Sequence, residues 1–155
     1  MKKLVCIFAI LVLPLFSQAQ KIASSFQEAE KAGHAMAKLD AAYKSALHTD
    51  TTKAVFNGQE EEFMLAYQQM LQDLGGFLKE NDFKWGKKTR CFNRIYFAKD
   101  GAIDYFLFNF NADQISEKKQ RQFNLLLHKF VQNYKIGIKG KEKFAQCSPV
   151  SYTDL

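Results

Sequence analysis

Histidines are the residues best able to hold a metal ion or move a proton, and this chain has three. His34, His48 and His128 lie far apart, and none has the HExxH spacing that places two imidazoles on one helical face. A metal ion needs ligands that converge on one point. We therefore predict no metal site and no cofactor.

The serines and carboxylates form no recognisable catalytic motif. The GxSxG sequence of a nucleophile elbow is absent, and no glycine-rich phosphate loop stands between a predicted strand and helix. Asp100 and Asp104 flank a predicted hairpin turn, where carboxylates usually serve turn geometry and solubility. The glutamates at 60–62 suit the start of a helix. We predict no catalytic residue, so an enzyme is the less favoured class.

The first 19 residues have the pattern of a cleaved export signal. Lys2 and Lys3 precede an apolar stretch, and small residues stand at the −3 and −1 positions of a cut after Ala19. The apolar stretch has about 13 residues, whereas a bilayer span needs roughly 20, so an anchor is the weaker interpretation. The sequence predicts one globular domain, residues 20–155, that is periplasmic or secreted.

Cys91 and Cys147 are the cysteines that this mature chain retains. An even pair in an exported protein favours a disulfide. The bond would stabilise the fold by roughly 4 kcal/mol on the chain-entropy model. The alternative is two buried free thiols. We predict the disulfide, and no redox role, because the pair lacks CxxC spacing.

Basic side chains are concentrated in the second half of the chain. Residues 81–155 hold 14 basic and 7 acidic side chains, whereas residues 20–80 hold 6 and 9. Aromatic residues interleave with the basic run KWGKKTR, and such a surface can stack sugars or dock a peptide. The alternatives are a solvated lysine-rich face and a tryptophan that caps a helix. The binding residues predicted here are Trp85, Lys87, Lys88 and Arg90.

Two helices are predicted ahead of these residues. The sequence SFQE at 25–28 is a capping box, and apolar residues spaced three and four apart predict a helix over 26–48. A second apolar stripe predicts a helix over about 57–74. The glycine pair at 75–76 predicts its end or a loosened turn.

The second half of the chain predicts a β-β-α-β unit. Two apolar runs flank Asp100-Gly101, which is a hairpin signal. The run over 103–110 is nearly continuous, so we expect this strand to be covered on both faces. An amphipathic helix begins after Ser116, and a last strand covers 144–153. The predicted fold class is α+β, with N-terminal helices and a small antiparallel sheet packed against helices.

Three segments of this half resemble a known family. The segments RIYFAKDGAIDYFLF, QRQFNLLLHKF and FAQCSPVSY are similar to a strand–turn–strand, a helix and a closing strand in the C-terminal domain of the TonB family of periplasmic energy transducers. TonB proteins also have an uncleaved anchor and a proline-rich spacer, whereas the mature chain has one proline. The resemblance therefore implies the fold and not energy transduction, and it carries over no functional residue.

The leading functional expectation is a non-enzymatic binding module of the cell envelope. It would recognise a protein or peptide partner through a sheet edge or an apolar sheet face. Pro149 cannot donate to a strand ladder, so we expect the last strand either to lie at an edge, bonded on one side only, or to stop at this residue. Phe144, Gln146 and Ser148 are the residues of this strand predicted to bind.

Three other readings stay open at this point. The alternative function is a small periplasmic enzyme or ligand-binding protein with an aromatic-lined pocket between sheet and helices. A basic module for polysaccharide or membrane surfaces comes third. Self-association into a homodimer is a further way to cover an apolar sheet face. Nucleic acid is not an expected partner of an exported chain, and no segment after the signal is predicted to span a membrane.

Overall fold

Five strands and four α-helices are found in the computed structural model, which describes residues 21–111 and 114–154. The predicted export signal lies outside the described residues. In chain order the elements are β1 (Ile22–Ser25), α1 (Phe26–Lys31), α2 (Met36–Ala42), β2 (Lys44–Ser45), α3 (Glu60–Glu80), β3 (Thr89–Phe97), β4 (Ile103–Phe110), α4 (Glu117–Asn133) and β5 (Phe144–Tyr152). Within this described part, no helix combines the length and apolarity that crossing a bilayer requires.

The strands form one mixed sheet in the order β1-β4-β3-β5-β2. The central strand β3 is antiparallel to both β4 and β5. The two short outer strands run parallel to their neighbours, β1 beside β4 and β2 beside β5. The α+β class is confirmed. The sheet is not purely antiparallel as predicted, because the N-terminal half contributes two strands whose long connections permit parallel pairing.

The β3–β4 hairpin turns at Asp100-Gly101, as its sequence predicts. Gly101 has a φ of +85°, and the Asp100 carboxylate accepts a hydrogen bond from the Ala102 amide at 3.2 Å. A Cβ atom at Gly101 would approach the carbonyl oxygens of Ile136 and Ile138 at 2.7 and 2.9 Å. Glycine is therefore required both by the turn and by the chain segment that crosses it.

One face of the sheet, here called the inner face, packs against α3 and α4. Alternate residues of β3 and β4 point to this face, including the fully buried Ile95, Phe97, Phe106 and Phe108. The glycine pair was predicted to end or to loosen α3, and the helix continues through it to Glu80. Its later residue Leu78 is buried in the same core. This packing outweighs the low helix propensity of glycine.

The opposite face, here called the outer face, is covered by the two short helices α1 and α2. A small buried cluster forms there from Ala29, Leu39, Tyr43, Tyr96, Leu107 and Ala145. The expectation that β4 is covered on both faces is confirmed, since Leu107 is fully buried on this side. The prediction of one helix over 26–48 was wrong. Gly33 adopts a φ of +86° and ends α1, so that two separate helices lie on the face.

Two predicted helix starts are confirmed. At α1, the Ser25 hydroxyl accepts from the Glu28 amide at 3.3 Å, and the Glu28 carboxylate accepts from the Ser25 amide at 3.0 Å. At α4, the Ser116 hydroxyl accepts from the Lys119 amide at 3.3 Å. Each contact satisfies an amide that the first helical turn leaves without a partner.

Candidate functional site: an open sheet face beside the edge of β5

The side chain of Trp85 lies in the core. Its side chain is only 5% exposed, and its ring stacks on Tyr152 with centroids 4.7 Å apart and planes 5° apart. Phe83 and Phe123 contact the same ring at 4.8 and 5.2 Å. The ring of Trp85 is therefore part of the core and does not form an exposed stacking surface. These aromatic side chains pack against one another and fill the space between the sheet and the helices.

The residues predicted to bind on β5 belong to the alternate set that points inward. Phe144 is fully buried and stacks on Phe97 at 4.8 Å. Ser148 shares a 2.6 Å hydrogen bond with the Tyr67 hydroxyl of α3. Gln146 is half-buried at the strand edge, where its amide donates to the Cys147 carbonyl at 3.3 Å. Phe144 cannot contact a partner as predicted, and Ser148 is committed to the core.

The predicted Cys91–Cys147 disulfide is contradicted. Both thiols are free, with Cys91 buried and Cys147 exposed. Cys91 is paired in register with Val150, and Cys147 with Arg94, so the two cysteines point to opposite faces. An offset of three residues also separates them by roughly 10 Å along the strands, beyond the reach of a disulfide.

In contrast to the buried inner face, part of the outer face is exposed, because α1 and α2 do not cover it. We call it the open sheet face. Its residues lie in adjacent register positions of three strands, and all are exposed: Arg90, Phe92, Asn109, Cys147, Pro149 and Ser151. Phe92 stands in its centre, between Asn109 and Pro149, and is 39% exposed. Beside it lies a shallow cavity of about 440 Å³, to which Arg90, Phe92 and Pro149 contribute.

Phe92 also marks where the helical cover of the outer face stops. Its ring meets the edge of Phe26, the first residue of α1, with centroids 6.3 Å apart. Beyond this contact the strands continue with no buried residue on the outer face until they end. The sequence signal for this site was the alternation of polar and apolar residues in TRCFNR, which places Arg90 and Phe92 on one face and Cys91 on the other.

The outer edge of β5 adjoins the open sheet face and has backbone groups available for pairing. Strand β2 covers only Phe144 and Ala145, where the Ala145 carbonyl accepts from the Ala46 amide at 2.8 Å. Because backbone groups alternate along a strand, Cys147, Pro149 and Ser151 also point away from β3. No described strand pairs with these three residues on that side. The prediction that β5 is bonded on one side only was therefore wrong for its first two residues, because β2 is the outermost strand. The later residues of β5 have no described strand on that side.

Pro149 fits the β3–β5 ladder because its backbone nitrogen, which has no N–H, points away from β3. The strand pairs with β3 over all nine residues, including Phe92 opposite Pro149. The amides of β5 that point toward β3 belong to the even-numbered residues, so the absence of an N–H at Pro149 removes no hydrogen bond from the β3–β5 ladder. The free edge consequently offers two N–H donors, on Cys147 and Ser151, and three carbonyl acceptors.

Basic side chains flank the open sheet face on one side. Lys88 and Arg90 are exposed at the start of β3, and Lys87 is close by in the chain. Arg94 is different, because its guanidinium is engaged with α2: it donates to the Asp40 carboxylate at 2.7 Å and to the Met36 sulfur at 3.4 Å. Of the basic residues predicted to bind, Arg90 thus belongs to the open sheet face, and Lys87 and Lys88 precede it in the chain.

Two carboxylate–tyrosine pairs hold α2 on the sheet. The Tyr96 hydroxyl donates to Asp40 at 2.8 Å, and the Tyr43 hydroxyl donates to Asp104 at 2.7 Å. Lys143 completes the second pair with a 3.2 Å contact to Asp104. Burial first, and then the hydrogen bond to the carboxylate, raises the pKa of both tyrosines. These hydroxyls stay protonated at neutral pH, which makes them anchors and not general bases.

The buried polar groups of the inner face are also structural. The Cys91 thiol donates to the Asn93 side chain at 3.3 Å, and Asn93 donates to the Tyr152 hydroxyl at 2.6 Å. Burial raises the pKa of Cys91 to about 12, so the nucleophilic thiolate is scarce at neutral pH. Among the residues that the structure describes, no group of three or more His, Cys, Asp or Glu side chains converges to hold a metal ion.

Comparison of the chain with protein-family models, with curated proteins and with solved structures finds no match. The function is therefore inferred from the geometry of the open sheet face and the edge of β5.

Proposed function

We propose that this chain is an exported, non-enzymatic binding module that holds an extended segment of a protein partner along the outer edge of β5. One observation carries the proposal. The edge of β5 from Cys147 to Ser151, which has no described strand beside it, adjoins an exposed sheet face centred on Phe92. Strand addition uses such an edge for backbone hydrogen bonds and the neighbouring face for side-chain selection.

The edge supports a short ladder of defined length. A segment beside Cys147, Pro149 and Ser151 meets five outward backbone groups, one fewer than three non-proline residues would present. Its alternate side chains lie on the same side of the sheet as Phe92 and Pro149, which provide apolar contact. The Gln146 side chain, which donates to the Cys147 carbonyl at 3.3 Å, moves aside when a segment binds.

Pro149 limits indiscriminate pairing at this edge. A proline in an edge strand removes one donor and so disfavours aggregation through long, regular ladders. The backbone groups that remain at the edge form only a short ladder. An extended segment whose side chains fit the open sheet face is therefore favoured over an extended segment of any other sequence. Arg90 and Lys88, at one end of the edge, favour an acidic side chain at the corresponding end of the partner.

The experiment begins with selection of short peptides from a random library on the protein that spans residues 20–155. Selected peptides are then titrated against three variants. Phe92→Ser removes the exposed ring, Ser151→Pro removes an outward amide, and Leu125→Ser is the matched control. Leu125 is an exposed apolar residue, 68% accessible, on α4 at the opposite side of the sheet.

We expect a loss of affinity of at least tenfold for Phe92→Ser and Ser151→Pro, and none for Leu125→Ser. Circular dichroism and thermal unfolding verify that each variant retains the fold. Amide hydrogen exchange supplies a readout of the binding mode. The Ser151 amide is expected to exchange fast in the free protein and slowly in the complex, whereas the Val150 amide, which points toward β3, is protected in both. Equal affinity of folded Phe92→Ser and Ser151→Pro variants would overturn the proposal.

Export is part of the proposal and has its own test. The charge, apolar length and small residues of positions 1–19 support cleavage after Ala19. Intact mass of the protein recovered from the envelope or medium of an expressing bacterium is expected to match a chain that begins at Gln20. Recovery of the full-length chain from the cytoplasm would contradict export.

A further inference from the structure

The loop before β3 contains a carboxylate-binding turn that the chain fills itself. The Trp85 and Gly86 amides donate to the two oxygens of the Asp154 carboxylate, at 2.5 and 2.9 Å. Gly86 has a φ of +74°, the left-handed conformation that lets successive amides converge on one anion. Asp154 comes two residues after the end of β5 and is exposed to solvent.

The surroundings of this turn favour an anion. Lys119 donates to the Trp85 carbonyl at 2.9 Å, and its ammonium lies 3.7 Å from where a Cβ of Gly86 would stand. A cavity of about 380 Å³ opens beside the turn, and Lys79 and Lys84 contribute to its wall. Asp82 is the acidic side chain on the same wall apart from Asp154 itself.

We infer that the Trp85–Gly86 turn is a binding site for a carboxylate side chain of a partner, and that Asp154 is its exchangeable, tethered occupant. Two charge-assisted hydrogen bonds from fixed backbone amides select a planar two-oxygen anion. The occupant is held by the turn and by no strand pairing of its own, because β5 ends at Tyr152. The inference is independent of the proposed function, since its test needs neither a peptide nor the edge of β5.

Exchange at this site is linked to the end of β5. Tyr152 stacks on Trp85, so the same turn that holds Asp154 also packs the last residue of the strand. The short tether to β5 makes binding of the Asp154 carboxylate intramolecular, so its effective concentration lies above the acetate midpoint expected for the vacated turn. A free carboxylate at lower concentration does not displace it, whereas removal of the Asp154 side chain leaves the turn available.

Trp85 is a direct reporter, because it is the one tryptophan of the chain. The test uses the variant Asp154→Gly and follows tryptophan emission while sodium chloride is replaced by sodium acetate at constant ionic strength. We expect a red-shifted emission in the variant that returns toward the wild-type value saturably, with a midpoint of roughly 10–100 mM for so small a ligand. Amide chemical shifts of Trp85 and Gly86 are expected to move along the same titration curve.

Thr153→Gly is the matched control. It loosens the same stretch and trims the same cavity but leaves Asp154 in place. Thr153→Gly and the wild type are therefore expected to respond only at acetate concentrations well above the midpoint of Asp154→Gly, where free acetate displaces the tethered carboxylate. If Asp154→Gly does not fold, Asp154→Ala replaces it, because alanine also removes the carboxylate but leaves the backbone less flexible than glycine does. Absence of a saturable acetate response in the folded variant would overturn the site. A response to phosphate but not to acetate would overturn its assignment to carboxylates.

Discussion

Cys91 and Cys147 lie on the neighbouring strands β3 and β5, three register positions apart and on opposite faces of the sheet. Their thiols therefore meet different surroundings. Cys147 is exposed beside the Arg94 guanidinium, whose Nε lies 3.3 Å from the sulfur. Cys91 is buried under α3 and α4 in the aromatic core.

Thiol labelling of the folded protein is expected to modify Cys147 quickly and Cys91 only on unfolding. Burial and the raised pKa of Cys91, about 12, both slow its reaction. The measurement is mass spectrometry after timed alkylation at pH 7.5, with and without urea, on the chain from residue 20. Cys147→Ser is the control, which should leave one slow thiol. A Cys91–Cys147 linked peptide in a non-reducing digest would contradict this arrangement.

Two glycines are expected to respond to alanine in opposite ways. Gly101→Ala should lower the free energy of unfolding by about 3 kcal/mol, because the residue has a positive φ and its new Cβ meets two carbonyl oxygens. Gly76→Ala should raise it by about 0.5–1 kcal/mol, because the helical position has no atom within 4 Å of an added Cβ. Urea unfolding measures both. Destabilisation by Gly76→Ala would show that α3 is strained there.

Asp104 is expected to stabilise the fold more than an exposed carboxylate does. The Asp104→Asn variant weakens the hydrogen bond from Tyr43 and the contact with Lys143, at a site whose side chain is 13% exposed. We expect a loss of about 1–2 kcal/mol in the free energy of unfolding. Glu142→Gln is the control. Its 3.2 Å pair with Lys44 is 59% exposed on the glutamate side, and a change within about 0.5 kcal/mol is expected. Equal effects would contradict the anchoring role.

Stability is expected to fall as the pH rises above about 10. Burial raises the pKa of Tyr67 to about 12, and burial also raises that of Tyr43, Tyr96 and Tyr152. Between the unfolded and the folded pKa, the unfolded chain loses protons that the folded chain keeps, so unfolding is favoured.

Urea unfolding at several pH values between 8 and 11, with absorbance at 295 nm for tyrosinate, measures this effect. Tyr67→Phe removes one of the contributing groups and should make the decline less steep. Ionisation of all six tyrosines near pH 10 in the folded protein would contradict the expectation.

Local signals in the sequence were sufficient for the fold class and for several element boundaries. The Asp100-Gly101 turn, the capping box at Ser25 and the cap at Ser116 depend on residues within one turn of each other. Pro149 predicted an edge for the same kind of reason, since its lack of an N–H is a property of the residue alone.

Long-range contacts decided the features that the sequence left open or predicted wrongly. The glycine pair at 75–76 continues α3 because buried side chains on both sides of it pack against the sheet, whereas Gly33 ends α1. The parallel outer strands β1 and β2 also depend on partners far away in the chain.

The candidate site shows the same division most clearly. A strand pattern over residues 144–153 is enough to divide the side chains of β5 into two alternating sets, one of which contains Pro149. The packing of the helices on the sheet places Phe144 and Ser148 toward the core and Cys147 and Ser151 toward solvent. The reason is that a period of two separates the faces of a strand without identifying the buried one, which depends on the helices packed against each face.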